Sequence, residues 1–317
     1  MGQDRMGNRL YVSAVFLFWL ATMGWLLSQR ILPQFMYGDP PKSGVAYFMD
    51  PVAWDIEVDG VSCGSATMLT VEGSSPGLRE AHSLVELHRL PIPKGLPSYF
   101  ASMIPSIDAL SPKIRSRVTF DSSGRMLGFD TWVFTSPEDS TLRLTGFVVS
   151  GQLKLKIRAG HVYKQLAYDW PVEGSLTSEL APETSLMLLY PGKKWRNEVY
   201  NPFSTNQEPF EVLEAHVVEE VAHTYNGERC DAHRVEFRTA SEAGQSEKER
   251  LRSTLWVAKD GRVLRHETKL LGSMLTLNRL GIDESNSLVS EKLDLERYSI
   301  APEPSRTESI GPASDEP

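Results

Sequence analysis

The sequence predicts a mainly β protein, with one large, curved antiparallel sheet or half-barrel, a short helix and one N-terminal transmembrane helix. Three observations support this prediction. An uncharged apolar stretch lies near the start of the chain, Asn-Gly and Asp-Gly pairs separate alternating apolar segments, and most of the remaining chain lacks helical periodicity. The 317 residues are 41% hydrophobic and 23% charged, which allows one large or two small domains with a real core.

The N-terminal helix is predicted from Leu10–Leu27, a run of about eighteen residues without charge. Such a run can cross most of the bilayer hydrocarbon as a helix. It ends in WLLSQR at residues 25–30, without the small residues of a signal-peptidase site, and Cys63 comes too late for a lipoprotein. We therefore expect residues 10–30 to be an uncleaved signal anchor, with a cleaved signal peptide and a buried core helix as the alternatives.

The charges flanking this run predict its orientation. Arg5 and Arg9 precede it, and this weak positive-inside bias places residues 1–9 in the cytoplasm. We therefore expect a single-pass protein of the cell inner membrane whose bulk is periplasmic.

The remainder divides by composition. Residues 31–46, with Pro33, Pro40 and Pro41, are predicted to be a linker. Residues 47–300 are predicted to form the extracytoplasmic β domain. Residues 301–317 are rich in Pro, Ser and acid, so we expect a disordered tail.

Glycine turns predict the hairpins of the β domain. Asn226-Gly227 favours a type I′ turn, because both central positions of that turn have positive φ. A two-residue turn there places Glu219 opposite Arg234 and Glu220 opposite His233, which is a favourable register. Further hairpin turns are predicted at residues 121–124, 150–151 and 259–261. Residues 153–158 alternate apolar and basic, which predicts a strand with one solvated face.

Two segments are less regular. Residues 96–110 lack alternation and could hold a short helix, interrupted by Pro105. Residues 283–298 favour a final strand. The similarity of residues 121–127 to 259–264 suggests a two-fold repeat, with halves 47–180 and 181–300, although hairpin proteins also reuse turn chemistry by chance. We expect one continuous, strongly curved sheet, because each half alone would leave long edges exposed.

Three strings in the second half carry a family resemblance: LYPGKKW at 189–195, DAHRVE at 231–236 and LWVAKDGRVL at 255–264. The region from 186 to 280 resembles β-rich envelope proteins of unknown function from Gram-negative bacteria. Their sheet is similar to the half-barrel of the periplasmic lipoprotein-carrier family.

The resemblance implies an apolar concavity that holds acyl chains. Four aromatic residues are then candidates for its lining: Trp132, Phe134, Trp195 and Trp256. The alternative is that these residues are core side chains, as is common in sheet proteins. The predicted anchor departs from the carrier pattern, because a soluble shuttle must diffuse. A tethered role is therefore expected.

The two cysteines, Cys63 and Cys230, could pair outside the cytoplasm. A bridge would close a loop of about 166 residues, worth about 5 kcal/mol in the chain-entropy model. The alternative is two separate buried thiols.

No catalytic, phosphate-binding or metal-binding motif is present in the sequence, so we expect no enzyme activity, no cofactor and no metal site. His216 and His223 would point to opposite faces of a strand. His223 could lie across the hairpin from Cys230, but no orienting third residue is evident. The net charge of −8 and pI near 5.5 exclude a nucleic-acid partner.

The sequence thus predicts a membrane-anchored, non-catalytic envelope protein whose partners are the membrane and a lipid or an envelope protein. In the leading hypothesis the β body binds an apolar or lipid-like ligand. The alternative is an adaptor subunit of an envelope transport complex without a ligand pocket; a hydrolase comes last. A filled sheet interior would favour the adaptor.

Overall fold

The protein is described by a computed structural model. The described residues are 3–26, 37–41, 44–46, 48–88, 90–91, 109–134, 140–171, 175–176, 182–200, 210–240, 246–270 and 273–293. The predicted tail, and residues 96–108 of the predicted short helix, lie outside the described residues.

The described part of the chain is dominated by strands. Their bounds are β1 Val52–Val58, β2 Val61–Glu72, β3 Arg79–Leu87, β4 Leu90–Pro91, β5 Ala109–Leu110, β6 Lys113–Phe120, β7 Met126–Phe134, β8 Ser140–Val149, β9 Gln152–Ala159, β10 Val162–Asp169, β11 Ser175–Leu176, β12 Lys194–Tyr200, β13 Phe210–Tyr225, β14 Glu228–Thr239, β15 Leu251–Ala258, β16 Val263–Leu270 and β17 Ser273–Arg279. The helices are α1 Gln3–Leu26, α2 Glu247–Arg250 and α3 Ile282–Lys292.

One 15-stranded sheet holds all of these strands except β4 and β5, which pair with each other. Its order is β10-β9-β8-β7-β6-β3-β2-β1-β17-β16-β15-β14-β13-β12-β11. Neighbours are antiparallel, apart from the short parallel pair of β11 and β12. The chain thus forms two meanders, and the pairing of β1 with β17 joins them into one sheet. The predicted mainly β, antiparallel fold is confirmed.

The Asn226-Gly227 hairpin has the predicted register. Asn226 and Gly227 have φ of 51° and 79°, as a type I′ turn requires. Glu219 lies opposite Arg234, and Glu220 lies opposite His233. The Arg234 guanidinium donates to a Glu219 carboxylate oxygen at 2.9 Å.

The sheet curls so that its two halves pack on each other. One buried cluster contains Trp54 of β1, Trp195 of β12 and Val235 of β14, although these strands are far apart in the sheet order. The two ends of the sheet also meet, because the Tyr168 ring of β10 lies 6.0 Å from the Phe210 ring of β13. We call the face that carries these buried clusters the inner face and the opposite one the outer face.

Helix α1 presents its apolar side chains to solvent. All described side chains of α1, from Val15 to Leu26, are exposed, and Phe18 is 75% exposed. None of the helices in the described part of the chain has both the length and the apolar character needed to cross a membrane. The predicted transmembrane helix is thus unconfirmed.

The predicted final strand is wrong, because residues 282–292 form α3. Buried Ser285 and Val289 and the following Leu293 are spaced four residues apart, which places them on one helix face. Val289 and Leu293 pack on Leu84 at the outer face of the sheet. The buried positions of this segment thus repeat with the period of a helix and not with the period of a strand.

The predicted linker is partly bound to the β body. The Arg196 guanidinium carbon lies 4.2 Å from the centroid of the Tyr37 ring. The Gly38 amide donates to the Lys194 carbonyl at 2.9 Å. Val45 is buried beside Met68. The described residues of 31–46 are therefore not a free spacer.

Candidate functional site

The four aromatic residues predicted to line a groove are not brought together. Trp195 is fully buried and makes an edge contact with Phe237, with ring centroids 5.8 Å apart. Trp132 lies on the outer face, opposite Arg143, whose guanidinium carbon is 5.4 Å from the Trp132 ring centroid. Phe134 lies on the same face, where Arg115 is 5.6 Å from its ring.

Trp256 lies on the outer face of the other half of the sheet. Its ring stacks on His223 at 6.3 Å, and the Arg265 guanidinium lies 5.4 Å above it. Trp195 is therefore a core residue. The rings of the other three contact arginine or histidine side chains on two separate parts of the outer face. No common concavity is formed by the four.

The two cysteines are free thiols that belong to different clusters. Cys63 packs against the cluster around Trp54, whereas Cys230 packs beside Ala232. Burial, and then the charges of nearby carboxylates, raise the pKa of the Cys63 thiol, so this cysteine is not activated as a nucleophile.

His223 lies opposite Cys230, as the predicted hairpin register requires. Burial, and then the charge of Arg265, lower the pKa of the His223 imidazole. In the described part of the chain, no group of three or more His, Cys, Asp or Glu side chains is placed to hold a metal ion.

Two polar groups lie on the inner face, where His266 is buried and Arg279 is half-buried. Desolvation lowers the pKa of His266 to about 4, so the imidazole is neutral near pH 7. Arg279 lies 5.7 Å from the Trp54 ring centroid and donates to the carbonyl of Thr184 at 2.9 Å. These groups pack the interior and connect strands.

Aromatic rings close the place where the two ends of the sheet meet. We call this cluster the aromatic seam: Phe129, Tyr168, Trp170, Tyr200 and Phe210. Adjacent rings have centroids between 5.5 Å and 6.3 Å apart. Gly146 permits this packing, since a Cβ there would collide with the Phe129 ring. Side-chain contacts join these two ends, which are not neighbours in the hydrogen-bonded order.

The outer face of β8–β10 carries a concentration of positive charge. Buried and exposed residues alternate strictly along β9, so the side chains of Lys154, Lys156 and Arg158 all point outwards. Arg143 of β8 lies opposite Arg158. We call these four residues the basic face.

The basic face is poorly neutralised. Asp130 of β7 and Asp169 of β10 flank it on the same face. Arg117 binds Asp130 at 3.0 Å, and the Gln152 amide nitrogen lies 3.5 Å from an Asp169 oxygen. The Thr145 hydroxyl also donates to Asp130 at 2.8 Å, while Arg143 is at 3.5 Å. Among the described residues, Lys154, Lys156 and Arg158 have no carboxylate within salt-bridge distance.

Several cations on the second half of the sheet form salt bridges with carboxylates. Arg234 is bound by Glu219 and Glu236, and Arg265 is bound by Glu267 at 2.6 Å. Positive charge on that half is thus largely compensated by neighbouring carboxylates. On β9, by contrast, three cations on one face lack a carboxylate within salt-bridge distance among the described residues.

Sequence reasoning identified the solvated face of residues 153–158 but not its significance. The available signal was three cations at alternate positions beside a strand that carries another arginine. The register that places Arg143 opposite Arg158, and the absence of a described acidic partner, required the structure.

No family model and no curated protein matches the chain. Among solved structures, the chain is similar to a β-barrel-like protein of the domain of unknown function DUF1849 from Brucella abortus. The two share 7% sequence identity with a TM-score of 0.45, and the alignment covers 73% of this chain and 94% of that one.

Proposed function

We propose that this protein is a membrane-tethered, non-catalytic interaction protein of the bacterial envelope, with the basic face as its recognition surface. The observation that carries this proposal is the uncompensated charge of Lys154, Lys156 and Arg158 on an exposed sheet face. The whole chain has a net charge of −8, so this local excess of cations is opposite to the average. A surface of this kind attracts and orients an anionic partner.

The packing of the inner face supports an interaction role over an internal ligand. Trp54 and Trp195, from distant strands, belong to one buried cluster with side chains of both meanders. Because the protein's own side chains fill this region, we expect a partner to be recognised at the outer surface.

Helix α1 is the proposed membrane tether. Phe18 and Trp25 are 75% and 69% exposed, and an exposed apolar surface of this size favours insertion or docking. Insertion of α1 into a bilayer would bury these side chains.

The non-catalytic part is supported by how the shifted carboxylates are held. Burial alone would raise the pKa of Glu214, but hydrogen bonds from Arg196 and Tyr37 outweigh it and lower the pKa. Glu86 is lowered in the same way by Lys113 and Lys292. Such pairs stabilise a fold and keep the carboxylates ionised.

The tether is tested by alkaline extraction of membranes from cells that produce the full chain. The protein is expected to stay in the membrane pellet. Replacement of Phe18 and Leu20 by Arg should release it, because charge in the hydrocarbon is costly. Release of the unmodified protein would contradict the tether.

The recognition surface is tested by photo-crosslinking from single positions of the full chain in cells. A photoreactive residue at Gln165, which neighbours Lys156 on β10, should form an adduct. The same residue at exposed Thr224 of β13 is the control and should not. Equal adducts at both positions, or none at Gln165, would contradict the assignment.

A second candidate function is binding of an apolar or lipid-like ligand, as in the lipoprotein carriers that the sequence resembles. The aromatic seam supports it, because the ends of the sheet are held there by side chains and could separate. Saturable, stoichiometric uptake of a fluorescent fatty acid, lost in Phe210→Ala, would favour this candidate over the interaction role.

A further inference from the structure

We infer that the basic face docks on the anionic phospholipid headgroups of the membrane that holds α1. This inference rests on the proposed function and names the partner of its recognition surface.

The charge arrangement favours an anionic partner. Arg143 and Arg158 are direct cross-strand neighbours, and Lys156 lies on the same face. Like charges in such positions destabilise an antiparallel pair unless an anion lies between or above them. Headgroup phosphates would supply that anion at several points at once.

The surroundings of the cations favour a lipid surface over a purely acidic protein. Phe147 is the neighbour of Lys154 on β8 and is 47% exposed; Tyr163 is the neighbour of Arg158 on β10 and is 59% exposed. Basic residues flanked by exposed aromatic rings are typical of surfaces at the headgroup boundary.

The attachment of the chain keeps this face near the bilayer. Helix α1 ends at Leu26, and Tyr37 is held on β12 by Arg196. The chain between Leu26 and Tyr37 can span at most about 40 Å when fully extended. Strand β12 in turn contacts β10 across the aromatic seam. The attachment therefore keeps the basic face within reach of the bilayer that holds α1, where the local concentration of headgroups is high.

The test uses the full chain reconstituted into vesicles of phosphatidylcholine, with and without about 40% phosphatidylglycerol. Lysine acylation is followed by mass spectrometry. In the anionic vesicles, Lys154 and Lys156 should react at least about fivefold more slowly, while Lys259 on the distant half should not change. About 0.5 M NaCl should abolish the protection, because it screens charges beyond a few ångströms.

A charge-reversal variant retains both reporter lysines. Arg158→Glu should remove most of the protection of Lys154 and Lys156. Arg229→Glu, on the exposed end of the β13–β14 hairpin, is the matched control and should leave it intact.

The outcomes separate this inference from the proposed tether. Vesicle flotation of the protein with equal acylation in both lipid mixtures would overturn headgroup docking and leave the tether standing. Failure to float with phosphatidylcholine would overturn the tether; protection by phosphatidylglycerol would then still support docking. Protection of the two lysines only after addition of an acidic protein would overturn the lipid as the partner.

Discussion

Arg143 and Arg158 lie directly opposite each other on β8 and β9, and both point to the outer face. This pair costs stability, because two cations repel at the short distance of a cross-strand pair. We predict that Arg158→Glu stabilises the unbound protein by about 0.5 kcal/mol. Urea unfolding at low salt measures the change.

The matched control for this variant is Lys156→Glu, whose cross-strand neighbours, Thr145 and Gln165, are uncharged. It should change the free energy of unfolding less than Arg158→Glu does. An equal gain in both variants would attribute the effect to net charge and not to the pair.

The location of the predicted groove residues gives a second prediction. Trp195 is fully buried, so Trp195→Ala should destabilise the protein by roughly 3–5 kcal/mol. Trp132 is half-buried on the outer face, and Trp132→Ala should cost about 1 kcal/mol or less. Urea unfolding midpoints compare the two. Similar losses would contradict the assignment of one residue to the core and the other to the surface.

His266 predicts a specific pH dependence of stability. Its pKa is about 4 in the folded protein and near 6.5 when unfolded, so the unfolded chain binds more protons between these values. The contribution of the neutral imidazole is complete above pH 6.5. It falls as the pH drops, and by pH 4 roughly 3 kcal/mol is lost.

The test compares the free energy of unfolding of His266→Leu with that of the unmodified protein from pH 4 to 7. The variant should lose this part of the acid sensitivity. His161→Leu, at an exposed turn, should retain it. Parallel pH curves for His266→Leu and the unmodified protein would refute the assignment.

Docking of α3 on the sheet gives the fourth prediction. The buried Ala53 amide donates to the Ser285 hydroxyl at 3.1 Å. Ser285→Ala leaves this amide without that acceptor and should cost about 1–3 kcal/mol. Thermal unfolding measures the loss, and Ser287→Ala, on the exposed side of α3, is the control. No difference between the two variants would contradict the role of Ser285.

Local chemistry made the hairpins predictable. The Asn226-Gly227 turn fixes the register, so the pairing of Glu219 with Arg234 followed from counting residues outwards from the turn. The same reasoning located the turn at Ser150-Gly151, where both residues have positive φ. The strand prediction for the α3 segment was wrong because its few apolar residues fit both a strand and a helix. Packing on Leu84 selects the helix.

The candidate site was less accessible from the sequence. Trp195 and Trp132 both lie in predicted strands, and the sequence does not distinguish them. In the structure Trp195 is a core residue, whereas Trp132 lies on the outer face in contact with Arg143. Which face of a strand is inner depends on how the sheet curls, and that depends on contacts between residues far apart in the chain.

The sequence by itself determined the strand pattern, the hairpin registers and the apolar character of the N-terminal stretch, because each depends on neighbours in the chain. Only the tertiary structure decided that the sheet packs on its own inner face. It also decided that α3 covers β1–β3 and that, among the described residues, the cations of β9 have no carboxylate within salt-bridge distance. Burial and charge compensation are properties of residues that meet in space, and no local pattern specifies them.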